Sequence, residues 1–336
     1  MTIKTKLASI GVAASILFSA ATPSLAADKL VITLDTPPGH IRTRMFHEFV
    51  DMLEDRSGGS MTFEIFDSNQ LYSSRDAMKA VVRGDAGMTI LVTPYLSRVV
   101  TDYNVFDLPV LNGMTDDQRA AMLDGGLGEA LSLQAEDTLG LVVPGKYWSM
   151  GKVFLWSTDR PMNEFADLRG MQIRIPGGAA LVMRLDAIGA SAVSMPGSDV
   201  PLALQQGTVD ATMGGPDYMY NNKFWDTGVK HGFWDGGIIG FLAPLVNQGY
   251  WDSLSEDEKA LFEQAWDEIT VKQRALVQAE EEKFINLLAE NGITTVSATE
   301  TDIAQANKAM MAIQDAMIEK LTISSKIVDM ASSYAK

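Results

Sequence analysis

Arg174 is the residue of this chain with the clearest chemistry. It sits in the phrase Arg169-Gly170-Met171-Gln172-Ile173-Arg174-Ile175-Pro176, where Met171, Ile173 and Ile175 are apolar. An unpaired buried charge is very costly, so a guanidinium at the end of a buried strand requires an anion. Its two parallel donors fit a carboxylate. The anion is either an internal partner, such as Asp186 or Asp199, or a bound acid. No other constellation forms a reaction centre. His40, His47 and His231 lack a compact metal-ligand spacing, and the chain has no cysteine for a thiolate site or a disulfide. G-x-S-x-G, H-E-x-x-H and the phosphate-loop pattern are absent. Gly125-Gly126-Leu127-Gly128 follows a helical pattern rather than a strand, which argues against a dinucleotide site. Carboxylates are abundant, so a hydrolase or lyase acting on a small acid stays open at this point.

The elements that must position Arg174 run from Asp167 to Met213 and read loop, strand, helix, strand, helix, strand. Upstream, Leu30–Leu34, Met61–Phe66 and Met88–Val92 read as strands. They alternate with helices over His40–Arg56, with Met45, Phe46, Phe49, Val50 and Leu53 at helical spacing, and over Arg75–Val82. Strands alternating with helices predict parallel pairing in an α/β fold. From Leu139 to Trp156 the pattern is strand-like, broken at Pro144-Gly145 and Gly151, as in a passage between lobes. Ile238–Asn247 reads as a return strand. Ser255 and Glu258 form a capping box before a long helix to about Asn291, which Gly292 ends. Glu280, Glu281 and Glu282 belong to its solvated face, and a last helix spans Thr301–Leu321.

The N-terminus reads as a cleavable secretory signal peptide over residues 1–26. Lys4 and Lys6 precede a short apolar run from Ile10 to Ala21, and Ser24-Leu25-Ala26 offers a small-x-small cleavage site. The run is shorter than the roughly 20 residues a membrane span needs. Its removal takes two lysines and no acid, moving the net charge from −16 to −18. Such an acidic chain excludes nucleic acid as a partner, since phosphate contact needs clustered cations.

Asp167-Leu168-Arg169-Gly170 leading into the Arg174 strand, Gly189-Ala190 at a helix end, and Ala203-Leu204-Gln205-Gln206-Gly207-Thr208-Val209-Asp210 resemble the signature of the substrate-binding proteins of TRAP transporters, the DctP family. FDSNQLYSSRDAMKAVVRGDAGMTI near the start and VNQGYWDSLSEDEKALF near the end are similar to further patterns of that family, so the resemblance covers nearly all of the mature chain. It implies a two-lobed periplasmic binding protein fold with crossing hinge strands and one long helix across both lobes. Lobe 1 would comprise 27–145 and 236–260, and lobe 2 146–235 and 261–336, with the helix about 255–291 crossing both and hinges near Val143 and Ile239. It also implies a periplasmic task; a metal bridges ligand and protein in a few members, but Met213-Gly214 offers no carboxylate for one, so neither metal nor cofactor is expected here. A small organic acid is captured through Arg174 and delivered to the small and large membrane subunits of a TRAP transporter. A ligand-binding partner of a signalling receptor is the alternative task.

Departures from the family pattern bear on the ligand. Where many members carry a second arginine, this chain aligns Phe154, flanked by Val153, Leu155 and Trp156, with Lys152 two residues before it, so that a one- or two-residue shift would bring that lysine into the pocket. Met213 and Gly214 stand where many members carry a glutamate followed by Asn or Trp. Tyr95 stands where some acid-sugar binders have an arginine, and Tyr72 replaces the glycine of a Gln-Leu-Gly turn. His40, in a Pro-Pro-Gly-His loop after the first strand, together with Trp148, Trp156, Trp234 and Asp235, completes the candidate wall. Ligands lie at the carboxyl ends of parallel strands, where such loops gather. A wall with one cation and many rings predicts a monocarboxylate with an apolar or aromatic body, such as an aromatic, branched-chain or hydroxy monoacid.

Overall fold

Two six-stranded sheets, built from β1 (Leu30–Thr33), β2 (Phe63–Phe66), β3 (Met88–Val92), β4 (Leu141–Val142), β5 (Trp148–Lys152), β6 (Phe154–Ser157), β7 (Gln172–Ile175), β8 (Ser191–Ser194), β9 (Ala211–Gly214), β10 (His231–Trp234), β11 (Ile239–Asn247) and β12 (Thr294–Ser297), define two lobes. The structure is a computed structural model and describes residues 29–335. The expected signal peptide, 1–26, lies outside the described residues. In the first sheet the order is β2-β1-β3-β11-β4, with β5 also paired to β11. β2 and β3 run parallel to β1, as the intervening helices Ile41–Arg56 and Ser74–Arg83 require. In the second the order is β12-β10-β6-β9-β7-β8. This is the expected α/β, two-lobed architecture.

The chain crosses between the sheets at Val153, between β5 and β6, and again over 235–238, between β10 and β11. The second crossing falls where the return strand was expected. The first comes later than the expected hinge at Val143. The reason is that β5 pairs antiparallel with β11, Leu242 opposite Trp148, and so extends the first sheet to Lys152. Residues 146–152 therefore pack with the first lobe rather than the second. At this point Gly151 has φ +69, and the β5–β11 register shifts between Gly240 and Phe241. Such a bulge bends a strand pair.

One helix, Glu256–Glu290, spans both lobes. The expected capping box is present: Glu258 N donates to Ser255 Oγ, and Ser255 N donates to the Glu258 carboxylate. Its first half buries Phe262, Ala265 and Trp266 against Phe46, Phe49 and Trp148, and the Trp148 and Trp266 rings stack at 4.8 Å. Its far end buries Leu288 among Phe154, Trp156 and Phe224 of the second lobe. Asn291 caps it, and Gly292 turns the chain away in the left-handed region.

The chain end differs from expectation. Instead of one helix over Thr301–Leu321 there are three, Glu300–Met311, Gln314–Lys320 and Ser325–Tyr334. Thr322, at φ +53, breaks the last two apart. Met317, Ile323, Ile327 and Ala331 bury in the first lobe's core beside Leu108, Met122 and Leu127. The terminal segment thus returns to the first lobe, where the sequence boundary had assigned it to the second.

Candidate functional site

A cavity of about 780 Å³, counted with its opening, lies between the lobes. Its walls come from the carboxyl ends of β1, β3, β7 and β9 and from the crossing strands at Met150, Val153 and Gly240. Parallel strands direct their following loops to one edge, which explains the convergence.

Arg174 lines this cavity and is 5% exposed. β7 runs parallel to β8 with Ile175 opposite Ser194, so the Met195 carbonyl emerges beside the guanidinium. Arg174 Nε and Nη2 donate to that oxygen at 3.0 and 2.9 Å. No carboxylate among the described residues lies within 4.0 Å of it, so neither Asp186 nor Asp199 is its partner. Tyr95 and Tyr218 share the cavity wall. Burial raises both phenols, Tyr218 to about 12, against the opposing pull of the Arg174 charge.

A second guanidinium lines the same cavity from the first lobe. Arg42 is also 5% exposed, and its Nη1 donates to Asp35 Oδ1 at 2.5 Å. Ser74 Oγ donates to the other oxygen of Asp35 at 2.6 Å. Arg42 Nε is buried without a partner.

His40 caps the helix Ile41–Arg56: its Nδ1 accepts from Arg42 N at 3.0 Å. The proton therefore sits on Nε2, which lies 3.3 Å from Asp217 Oδ2. Burial, with the Arg42 charge beside it, holds the imidazole well below its usual range, so it is neutral. Burial pushes the Asp217 carboxyl up to about 6. This contact joins the loop after β1 to the helix Pro216–Asn221 after β9, one lobe to the other. Arg98 Nη2 to Ser194 Oγ, at 2.6 Å, and Ala180 N to Asn104 Oδ1, at 3.2 Å, are further bridges between the lobes. The lobes stand closed over the cavity.

Of the candidate wall residues, Arg174, His40, Tyr95, Met213 and Gly214 meet at the cavity. Phe154 does not: it stacks on Trp156 at 5.2 Å in the second lobe's core, and Val153 faces the cavity in its place. Strand side chains alternate, so a one-residue offset exchanges core for cavity. Trp156 is fully buried and donates from Nε1 to the Gly214 carbonyl at 2.9 Å. Trp234 lies 4.7 Å beneath the ammonium of Lys152, which pairs with Glu281 at 2.6 Å, so Lys152 is also occupied away from the cavity. Asp235 accepts from the backbone N–H groups of Gly237 and Ile238 in the crossing segment. Tyr72 packs against the first lobe's core. Arg42, Asp35, Tyr218 and Asp107 line the cavity without having been singled out from sequence. The signal for Asp35 and Arg42 is the neighbourhood of His40: Asp35 lies in the same loop after β1, and Arg42 lies in the first turn of the helix that His40 caps. Among the described residues no group of three or more His, Cys, Asp or Glu is placed to hold a metal, and no helix is long and apolar enough to cross a membrane.

The chain matches the family model described as bacterial extracellular solute-binding protein, family 7 (DctP), over residues 34–321. It is 27% identical over 300 residues to the C4-dicarboxylate-binding periplasmic protein DctP of Rhodobacter capsulatus, covering 87% of this chain and 85% of that one. It is 25% identical over 283 residues to the 2,3-diketo-L-gulonate-binding periplasmic protein YiaO of Escherichia coli K12, covering 82% and 83%. Among solved structures, the sugar acid binding protein DctPAm from Advenella mimigardefordensis, in complex with galactonate, has the same fold. The TM-score is 0.87 at 19% identity, covering 93% of this chain and 99% of that one.

Proposed function

The chain belongs to the bacterial extracellular solute-binding proteins of family 7, and from that premise we propose that it captures a monocarboxylate in the periplasm through Arg174 and delivers it to the small and large membrane subunits of a TRAP transporter. Family members are binding components of transport, and the chain is not an enzyme. One observation carries the choice of ligand. Arg174 is buried in the cavity wall with only a backbone carbonyl as partner among the described residues. A buried guanidinium left without a carboxylate is costly, and a bound carboxylate removes that cost. Arg42, the other cation of the cavity, already has Asp35. One free cation suits one carboxylate.

The rest of the wall supports an apolar body. Val153, next to the Phe154 position aligned with the family's second arginine, faces the cavity, and Met150, Phe106, Leu181 and Met213 add apolar surface. Tyr95 and Tyr218 offer flat faces with hydroxyls. A relative is named for C4-dicarboxylates and a structural neighbour holds galactonate, so acids of either valence fit the same scaffold.

A thermal-shift panel of mono- and dicarboxylates tests the reading, because a ligand that binds only the native state raises the melting temperature. Stabilisation by monocarboxylates is expected. Stabilisation by succinate, malate or sialic acid, with none from monocarboxylates, would overturn it.

A further inference from the structure

We propose that Asp107 reads a hydrogen-bond donor on the ligand, a hydroxyl or an ammonium carried away from the carboxylate that Arg174 holds. This rests on the monocarboxylate reading above and sharpens it.

Asp107 ends the 3-10 helix Thr101–Asp107 and lines the same cavity as Arg174. Its carboxyl makes no hydrogen bond and no ion pair with any described residue. Asp35, the other acid of the cavity wall, is spent on Arg42 and Ser74. Asp107 is thus the acid of the wall with acceptor capacity to spare. An ionised carboxylate accepts and cannot donate, and half-buried at the cavity wall without a partner it loses part of its water without compensation. Burial already pushes this carboxyl up to about 6, with the Arg184 charge opposing.

The placement separates the two functional ends. Arg174 stands beside Met195, Gly197 and Tyr218. Asp107 stands beside the crossing segment. Its backbone carbonyl accepts from Arg184 Nη1 at 3.2 Å, and the other terminal nitrogen of Arg184 lies 3.2 Å from where a side chain on Gly237 would begin. Arg184, not Arg174, is the cation acting on the Asp107 carboxyl. One end of the cavity therefore offers donors to an anion, and the other offers an acceptor to a donor. A second ligand carboxylate directed at Asp107 would meet like charge, and a fully apolar ligand would leave that acceptor unpaired.

The experiment uses the mature protein above pH 7, where Asp107 is ionised, and measures affinities by calorimetry. The probes are hexanoate and hexanoates bearing a single hydroxyl or a single amino group at each carbon from the second to the sixth. Wild type should bind at least one donor-bearing probe about tenfold or more tighter than hexanoate. Asp107→Ala should erase that gain, so that within the variant the donor-bearing probe binds no tighter than hexanoate. Asp107→Asn, which keeps an acceptor oxygen of the same size, should retain most of a hydroxyl gain and lose an ammonium gain, which separates the two donors. Persistence of the gain in Asp107→Ala, or no gain at any position, overturns the role of Asp107 and leaves the monocarboxylate reading standing. Binding of succinate with no binding of any hexanoate overturns both.

Discussion

The two walls of the cleft bury one guanidinium each and balance them differently. On the first-lobe wall, Arg42 meets the Asp35 carboxylate, which Ser74 holds from its other side. On the second-lobe wall, Arg174 meets a carbonyl dipole alone. Both are 5% exposed, so burial does not distinguish them; the partner does. On the first wall the guanidinium already has its carboxylate without ligand. Under the proposed reading, the guanidinium of the second is balanced by a bound anion. On that reading, the number of charges a ligand brings is a matter of which arginine the fold leaves unbalanced, rather than of how many arginines line the cavity.

The largest effect should come from the unbalanced side. Arg174→Ala should lower affinity for a bound monocarboxylate by roughly two to three and a half decades, the equivalent of about 3–5 kcal/mol for losing one partner of a buried charge pair. Circular dichroism should show the fold intact, and Arg174→Lys should also bind poorly because the fork is lost. A change of less than tenfold by calorimetry would remove Arg174 as the anchor.

The balanced side can be unbalanced. Asp35→Asn leaves Arg42 without its anion and should cost about 1.5–3 kcal/mol of stability in a chemical melt, the scale of a hydrogen bond to a charged group. It also gives the cavity a second free cation. Succinate should then raise the melting temperature of the variant more than that of wild type. Equal response to succinate in both would show that the Asp35–Arg42 pair does not set ligand valence.

The contact that joins the walls should show a pH signature. The folded pKa of Asp217, about 6, is raised above its ordinary 3.8, so the fold favours the protonated form. The stability this supplies is full below about pH 4 and is lost as pH rises through 6. Asp217→Asn keeps an acceptor for His40 and Tyr218 but never ionises. Its melts should match wild type below about pH 4 and exceed it above pH 6, by something on the order of 1–3 kcal/mol. A difference that stays constant from pH 4 to 7 would mean that Asp217 is not titrating in this range.

The smallest effect is expected outside both walls. Tyr72 packs on the first lobe's core and does not line the cavity. Tyr72→Phe should leave affinity within about twofold. A larger loss would extend the first wall beyond the residues that now form it.

Much of this architecture was legible because local rules carry it. The capping box at Ser255 and Glu258, the buried stripe of Met45, Phe46, Phe49, Val50 and Leu53, and the glycine after Asn291 depend on neighbours a few residues away. The strand of Arg174 announced itself because a cation among apolar residues needs an anion whatever the fold. The misplaced end of the chain shows the limit. Helical spacing over 301–321 identified helix, but the break near Thr322 and the return to the first lobe answer to distant partners such as Leu108 and Met122.

The sequence by itself determined that this chain builds an α/β scaffold with one buried strand cation, since side-chain type, period and capping are read along the chain. Tertiary structure alone decided what that cation faces. Whether Phe154 or Val153 meets the cavity depends on how β6 sits between β9 and β10, and a strand reverses its faces with each residue. Whether Arg42 counts as a free charge depends on Asp35 lying within 2.5 Å across a turn, and whether Arg174 does depends on the β7–β8 register bringing a carbonyl rather than a carboxylate. Those are distances of a few ångströms between groups that only folding brings together, and electrostatic balance in a buried site is fixed at that range.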